Sequence, residues 1–380
     1  MHLSLNEEEL MIQKVARDFA TREVLPKARE LDANGTWPTD LVKRMAELGL
    51  MGVAIPSEYG GAGSNNVSYA LAIEEVSRAC ASTGVIMSVN NSLVCDPIYK
   101  FGNEAQKKEF LTPLASGKML GCFGLTEPAS GSDASNMETV AEKSGDHFII
   151  NGSKNWITNG PHADVIVVFV ATQKGVGSKG VSALIVPKGT PGFQPQKPDH
   201  KLGIHAAHSC TIYFENCKVP RANLLGAEGG GFKIAMNTLD GGRIGIASQA
   251  IGIARAAYEE ALLYSKERKS FGSPIADKQA IQFMLADMAT EIEAARLLVM
   301  RAASMKDKKV RHTTESAAAK LFASEMATRV SHKALQIHGG YGYSKEYNAE
   351  RHYRDARITE IYEGTSEIMR LVISANTLKA

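Results

Sequence analysis

Through the first third of the chain apolar positions recur at helical spacing. Asn6 with Glu9 has the layout of a capping box, and Ile12, Val15, Ala16 and Phe19 follow on one face. Pro26 is expected to interrupt or kink this helix. Residues 41–50 read as a second amphipathic helix. Residues 55–63 read as a loop, because proline and clustered glycine punctuate helices. Helical spacing returns over 67–81, 84–101 and 104–115. No run before Lys118 alternates cleanly with period two. From Met119 the texture changes. Ser144-Gly145-Asp146 reads as a turn, and Asn151-Gly152 after His147-Phe148-Ile149-Ile150 carries a hairpin signal. Residues 165–170, 181–186 and 211–214 read as further strands, ending near Val219-Pro220. Short strands separated by turns predict a small β-domain or barrel. After Gly229-Gly230-Gly231 the chain is helical again. Ile244, Ala247, Ile251, Ala254, Tyr258 and Leu262 share one face, as do Ile281, Leu285, Met288, Ile292, Ala295 and Val299. A third long helix runs from about Thr314 to Ile337 and stops at Gly339-Gly340. Long helices rich in alanine and methionine predict a bundle.

Composition narrows the picture by exclusion. The 380 residues suffice for two or three domains, with 44% hydrophobic and 22% charged residues. A net charge of +2 makes no electrostatic case for nucleic acid or an anionic membrane. No apolar run reaches the ~18 residues of a membrane span. Cys80, Cys95, Cys122, Cys210 and Cys217 are scattered and odd in number, as expected of reduced thiols. The stretch from Met1 to Glu9 resembles neither a secretory signal nor an Arg-rich transit peptide. The expected compartment is the bacterial cytoplasm or, for a mature imported form, the mitochondrial matrix.

Several familiar signatures fail on context. Gly175-Val176-Gly177-Ser178-Lys179-Gly180 matches G-x-G-x-x-G, but a strand follows it. The dinucleotide fingerprint needs a helix N-terminus there to hold the pyrophosphate, so a hairpin loop is expected. His205, His208 and Cys210 lack a fourth metal ligand. No Walker A string or G-x-S-x-G elbow occurs. Cys122 reads as a packed thiol, and 306–312 as a solvated basic loop. Three strings have more to offer. Glu363 lies between Tyr362 and Gly364, where apolar surroundings would raise its basicity and a ligand can approach the glycine backbone. Trp156 presents a flat face, and Thr126 and Thr158 present hydroxyls. The loop from Pro128 to Asp133 supplies backbone donors suited to phosphate oxygens.

These strings occur with Leu239-Asp240-Gly241-Gly242-Arg243-Ile244-Gly245, Arg268-x-x-Phe271-Gly272, Gln336-x-x-Gly339-Gly340-x-Gly342-Tyr343 and Ile361-Tyr362-Glu363-Gly364-Thr365. In that order, over essentially the whole chain, they resemble the acyl-CoA dehydrogenases. Residues 81–93 resemble the short-chain, butyryl-CoA-preferring branch.

The resemblance implies a mainly α fold with a central β-barrel domain. It divides the chain into an N-terminal helical domain (1–118), a middle β-barrel domain (119–226) and a C-terminal four-helix bundle (227–380), assembled as a homotetramer. It implies FAD contacted by Phe123, Leu125, Thr126, Ser132, Trp156 and Thr158. Arg268 and Phe271 would come from the neighbouring subunit, Gln279, Gln336, Gly339 and Gly340 would line the adenine end, and Thr365 and Glu367 would close the site. The acyl-CoA would meet Ser132, Asp240, Arg243, Tyr362 and Gly364. Glu363 would take the α-proton and flavin N5 the β-hydride, giving the trans-2-enoyl-CoA, with electrons passed to an electron-transfer flavoprotein. One branch carries its base one residue before the arginine matched by Arg243. Here that residue is Gly242, which favours Glu363. The alternatives are branched, aromatic or dicarboxylic acyl-CoA substrates, or a non-catalytic flavin or acyl-CoA binding protein. The loop 204–210 departs from many relatives, which carry an arginine and a threonine there.

Overall fold

A computed structural model describes residues 4–379. Met1, with which the N-terminal reading begins, lies outside them. The capping box forms: Glu9 N donates to Asn6 Oδ1 and Asn6 N to Glu9 Oε2, both at 2.9 Å. It opens α1 (Glu7–Phe19). A π-helical turn, Ala20–Val24, leads into α2 (Leu25–Asn34) with Pro26 in its first turn. The missing N–H is thus absorbed by a wider turn, not by a break. α3 (Thr39–Glu47) follows. α4 (Asn66–Ala79) and α5 (Ala81–Ser88) meet at Cys80, whose extended backbone interrupts the helix. A second π-helical stretch, Val89–Cys95, joins α5 to α6 (Asp96–Phe101). Then come α7 (Glu104–Gln106) and α8 (Thr112–Ala115).

One mixed sheet occupies the middle of the chain. Its strands are β1 (Gly121–Gly124), β2 (Val140–Ser144), β3 (His147–Thr158), β4 (Val165–Ala171), β5 (Val181–Pro187), β6 (Phe193–Pro195), β7 (Ser209–Pro220) and β8 (Leu224–Leu225). They pair in the order β6-β7-β3-β2-β4-β5-β8, with β1 parallel to β4. The expected barrel does not close: β6 and β8 end the hydrogen-bonded path. Strands from distant parts of that path nevertheless share a core on one face, where Phe148, Ile150 and Phe214 meet Ile166, Val168 and Leu184. The sheet therefore curls around side chains without joining edge to edge. On β4, Val165, Val167 and Phe169 belong to the main core and Ile166, Val168 and Val170 to the second. A strand buried on both faces shows no polar alternation, which explains its dense β-branched run.

The hairpin expected at Asn151-Gly152 lies elsewhere. Ser144 and His147 flank the turn, and β3 runs through residue 152 with a register shift there. Gly152 sits at φ +138°, and a Cβ would lie 2.7 Å from Thr139 Cα, so glycine here serves a bulge. The 175–180 string is the β4–β5 connection. Its one helical turn, Gly177–Gly180, is 3₁₀ and leads straight into β5.

The last region holds α9 (Gly231–Glu267), a short hairpin of β9 (Lys269–Ser270) and β10 (Ser273–Pro274), then α10 (Gln279–Asp307), α11 (Thr313–His338), α12 (Ala349–Ile358) and α13 (Ser366–Thr377). α9 packs against α4, α10, α11 and α12. Every residue from Gly241 to Ala250 is buried. The single apolar face expected of this helix is therefore an underestimate, since a helix walled on all sides needs small or apolar residues all round. Buried Glu74 and Glu75 of α4 pair with Arg17, Arg255 and Arg296 and tie α1, α9 and α10 together. No helix of the described residues is long and apolar enough to cross a membrane.

Candidate active site

α12 and α13 are joined by a turn that carries the acid singled out above. Glu363 has φ +53° and Gly364 φ +101°. Two successive left-handed residues, one with a Cβ, cost about 1–3 kcal/mol and persist only where the surroundings impose them. Thr365 then caps α13 by accepting from Ile368 N at 3.3 Å. Glu363 as a residue is half-buried, but its Oε2 is sealed from solvent and has no hydrogen-bond partner among the described residues. Burial raises its pKa to about 7, while the Lys320 and Arg243 cations pull the other way. Arg243, on α9, donates to Asp240 Oδ1 at 2.7 Å, and Thr313 holds the other Asp240 oxygen at 2.7 Å. Lys320, on α11, donates to Gly364 O at 2.6 Å. Tyr362 donates to Gln249 Oε1, and Gln249 donates to Ala81 O at 2.9 Å.

Gly242 is shaped by the same acid. A Cβ built there would overlap Glu363 Oε2 and lie 2.9 Å from its Cδ and 2.8 Å from Leu93 Cδ2. Positions 242 and 363 thus converge on one point, although 121 residues separate them in sequence.

The platform residues lie on the sheet. Trp156, at φ +60°, falls where β3 and β7 slip register between Lys154 and Ile157, and 58% of its surface is exposed. The bulge turns the indole out of the ladder. Asn155 N donates to Thr126 O at 2.8 Å, joining the two platform strings. Leu125 is buried, Phe123 packs on Phe169 with ring centroids 5.0 Å apart, and Thr126 and Thr158 are half-buried. Ser132 is exposed in its loop. Beneath this surface Lys154 Nζ, fully buried, donates to Glu127 Oε1 at 2.7 Å and to Leu125 O at 3.1 Å. Burial lowers the Lys154 pKa to about 8 against the pull of Glu127. Removing one partner strands the other charge, so Lys154→Met should cost about 3–5 kcal/mol of unfolding free energy. Urea titration of the wild type and variant reads this, and a loss under about 1 kcal/mol would remove the pair from the account of this loop.

The remaining expected contacts do not join Glu363 within this chain. Arg268 stands at the end of α9, 25 residues past Arg243, which is roughly 37 Å along a helix. It lines a cavity of about 550 Å³ with Tyr264, His338, Gly339, Gly340 and Tyr341. Phe271 is 98% exposed. Gln279 opens α10 and Gln336 lies in the last turn of α11; both are exposed and neither lines that cavity. Glu367 is exposed in the first turn of α13.

The His205–Cys210 stretch is a seam. His205 bonds Asp32 O at 3.0 Å and Lys201 O at 2.9 Å, while His208 bonds Gly35 O and His162 Nε2, each at 2.8 Å. Trp37 stacks on His162, centroids 4.0 Å apart. Among the described residues no three metal-ligating side chains gather. Cys122 is fully buried, and burial pushes its thiol pKa well up.

Lys320, Gln249 and Lys154 escape sequence reasoning. A signal existed for the first: Lys320 falls in phase with Ala317, Ala327 and Ala334, all buried on α11. A lysine in register with a small-residue stripe is a lysine facing a core.

Residues 6–118, 122–217 and 229–378 match the families described as acyl-CoA dehydrogenase N-terminal, middle and C-terminal domains. The chain is 53% identical over 378 residues to the mitochondrial short-chain specific acyl-CoA dehydrogenase of Mus musculus, covering 100% of this chain and 92% of that one. It superposes on butyryl-CoA dehydrogenase from Megasphaera elsdenii with a TM-score of 0.98 at 46% identity, covering all of both chains. A chain in the structure described as the electron transferring flavoprotein of Acidaminococcus fermentans gives 0.99 at 49%, again covering both. With a buried acid on a strained turn, a neighbouring arginine and three matching domains along its length, the chain belongs to the acyl-CoA dehydrogenase family.

Proposed function

We propose that the protein dehydrogenates a short-chain acyl-CoA to the trans-2-enoyl-CoA. The observation that carries this is the sealed, unpartnered Glu363 Oε2, with a pKa raised to about 7, in a member of this FAD-dependent family. An acid poised near neutrality is a general base at physiological pH. Glu363 takes the α-proton on Oε2. Arg243, held by Asp240, and Lys320 keep the carboxylate ionised until then. Asp240, Arg243, Tyr362 and Gly364 line the acyl-CoA, with Ser132 nearer its pantetheine. The backbone N–H of Glu363 would donate to the thioester oxygen as it gains negative charge; such a donor is worth about 3 kcal/mol.

The residues present fit FAD. An indole turned outward at a bulge, beside two half-buried threonines, suits a flat ring. Phe123, Leu125, Thr126, Ser132, Trp156 and Thr158 would hold it, with Thr365 and Glu367 near its edge. Bound FAD supplies the acceptor for the β-hydride. The separation of Arg268 from Glu363 supports a second subunit as the source of Arg268 and Phe271, with Gln279, Gln336, Gly339 and Gly340 at the adenine end. A homotetramer and three domains divided at 118/119 and 226/227 are proposed from family membership, and the matches over 6–118, 122–217 and 229–378 support the division. The curled, open sheet forms the middle domain, and α9–α11 with α12 and α13 form the C-terminal bundle. The acceptor proposed is an electron-transfer flavoprotein, and the compartment the bacterial cytoplasm or mitochondrial matrix. Relatives of both origins support it.

The short-chain preference is supported by the relatives named short-chain specific acyl-CoA dehydrogenase and butyryl-CoA dehydrogenase. Anaerobic titration of the purified yellow protein tests the proposal. Butyryl-CoA should bleach the flavin most completely, then hexanoyl-CoA, then octanoyl-CoA. Absence of flavin, or no bleaching by any saturated acyl-CoA, rejects the function. Preferential bleaching by a branched or dicarboxylic thioester rejects the substrate class alone.

A further inference from the structure

We infer that Lys320 is a positioning residue for the base: its ammonium fixes the Glu363–Gly364 turn through the Gly364 carbonyl and keeps the Glu363 carboxylate ready for the proton. The inference rests on the reading of Glu363 as base.

Lys320 is fully buried, and lysine is rarely so without a carboxylate partner. Among the described residues it forms no ion pair; its one hydrogen bond is to Gly364 O at 2.6 Å. A neutral donor would satisfy that carbonyl at less desolvation cost, so the charge calls for its own explanation. Two cations offset the burial of Glu363, and they differ. Arg243 comes from α9 and is already paired with Asp240. Lys320 comes from α11 with its charge uncommitted, so it counts for more at Glu363. The other groups that couple to Glu363 are Tyr69 of α4 and adjacent Tyr362, both kept neutral by burial. Glu360 and Glu367 act on Lys320 as well. Burial lowers the Lys320 pKa to about 8, which leaves it protonated at neutral pH. Eight residues further along α11, Thr328 donates to Glu360 Oε1. One helix thereby grips the turn on both sides of the base and holds a non-glycine residue at positive φ.

Activity requires ionised Glu363, so kcat/KM falls as pH drops through its pKa. Removing a nearby cation raises that pKa and moves the acid limb upward. The test compares flavin-loaded wild type, Lys320→Met, which lacks both donor and charge, and Lys320→Gln, which keeps a donor for Gly364 O. Two readouts are used: the pH profile of kcat/KM, and an infrared titration of the Glu363 carboxyl as a difference against Glu363→Gln, which needs no turnover. The wild-type limb is expected near pH 7. Both variants should move it, and the infrared titration, up by about one pH unit. Lys320→Met should lose turnover about tenfold or more with KM nearly unchanged, and Lys320→Gln should recover part of it. If Lys320→Met does not fold, Lys320→Gln decides alone. An infrared titration and acid limb unmoved in the folded variants overturn the inference, even where stability falls. A wild type unable to bleach with any acyl-CoA overturns the reading of Glu363 instead.

Discussion

Glu363→Gln should leave the protein folded and yellow while lowering turnover roughly 10³–10⁴-fold, about 4–5 kcal/mol of transition-state stabilisation. The amide is isosteric, so the left-handed turn, the Lys320 bond to Gly364 O and the capping by Thr365 all remain. Oε2 has no hydrogen-bond partner to lose, so the substitution strands no protein donor there. Indeed it removes a buried charge that burial disfavours. Stability should hold or rise slightly, most visibly above pH 7, where the native carboxylate is ionised. What disappears is the lone pair that accepts the α-proton. Stopped-flow absorbance after mixing with butyryl-CoA reads the loss directly. Bleaching at the wild-type rate would show that another group takes the proton, and the site would have to be rebuilt around it.

Gly242→Ala is expected to separate stability from catalysis. The new methyl overlaps Glu363 Oε2 and crowds Leu93 Cδ2 at 2.8 Å. Both obstacles are ends of flexible side chains, so they swing aside at little cost. Alanine is also the better helix former by about 1 kcal/mol. The protein should therefore unfold at nearly the wild-type temperature. The base, however, has moved. A displacement near 1 Å from the productive geometry costs roughly a hundredfold in rate. The loss should appear in kcat more than in KM, because the methyl presses on the base. Glu363→Asp in the Gly242→Ala background gives a further check: the shorter acid should be less sensitive to the added methyl than Glu363 is. Wild-type turnover in Gly242→Ala would mean that the carboxylate shown against Gly242 is not the working position.

Much of this was visible in the chain before any fold was drawn. Helices, then strands, then long helices could be read from spacing, because period and punctuation are local properties. The acid beside Gly364 could be read too, since a glycine lets a ligand approach the backbone and apolar neighbours raise an acid's basicity. Other features were hidden for definite reasons. Asn151-Gly152 carries a turn signature, but the bulge it serves is decided by β7, more than fifty residues away. Whether the sheet closes depends on the edges of β6 and β8, which no local pattern specifies. Gly242 was legible as a position that carries no base, yet not as the space that Glu363 Oε2 occupies, because that contact joins residues 121 positions apart. Trp156 was legible as a ring, yet not as a ring turned outward by a register slip. Lys320 was discoverable in principle, as a charge in phase with buried alanines.

α9 has a consequence for engineering. Its middle ten residues touch protein on every side, and the same ten include Gly242, Arg243 and Gln249. A library that randomises them to broaden the range of thioesters would mostly sample collapsed proteins, since no side chain there has open space to grow into. The turn from Thr359 to Thr365 reaches the base from a connection between helices, and six of its seven residues are half-buried or exposed. Diversity placed there, with Glu363 and Gly364 held constant, would explore new substrates at far smaller risk to the scaffold.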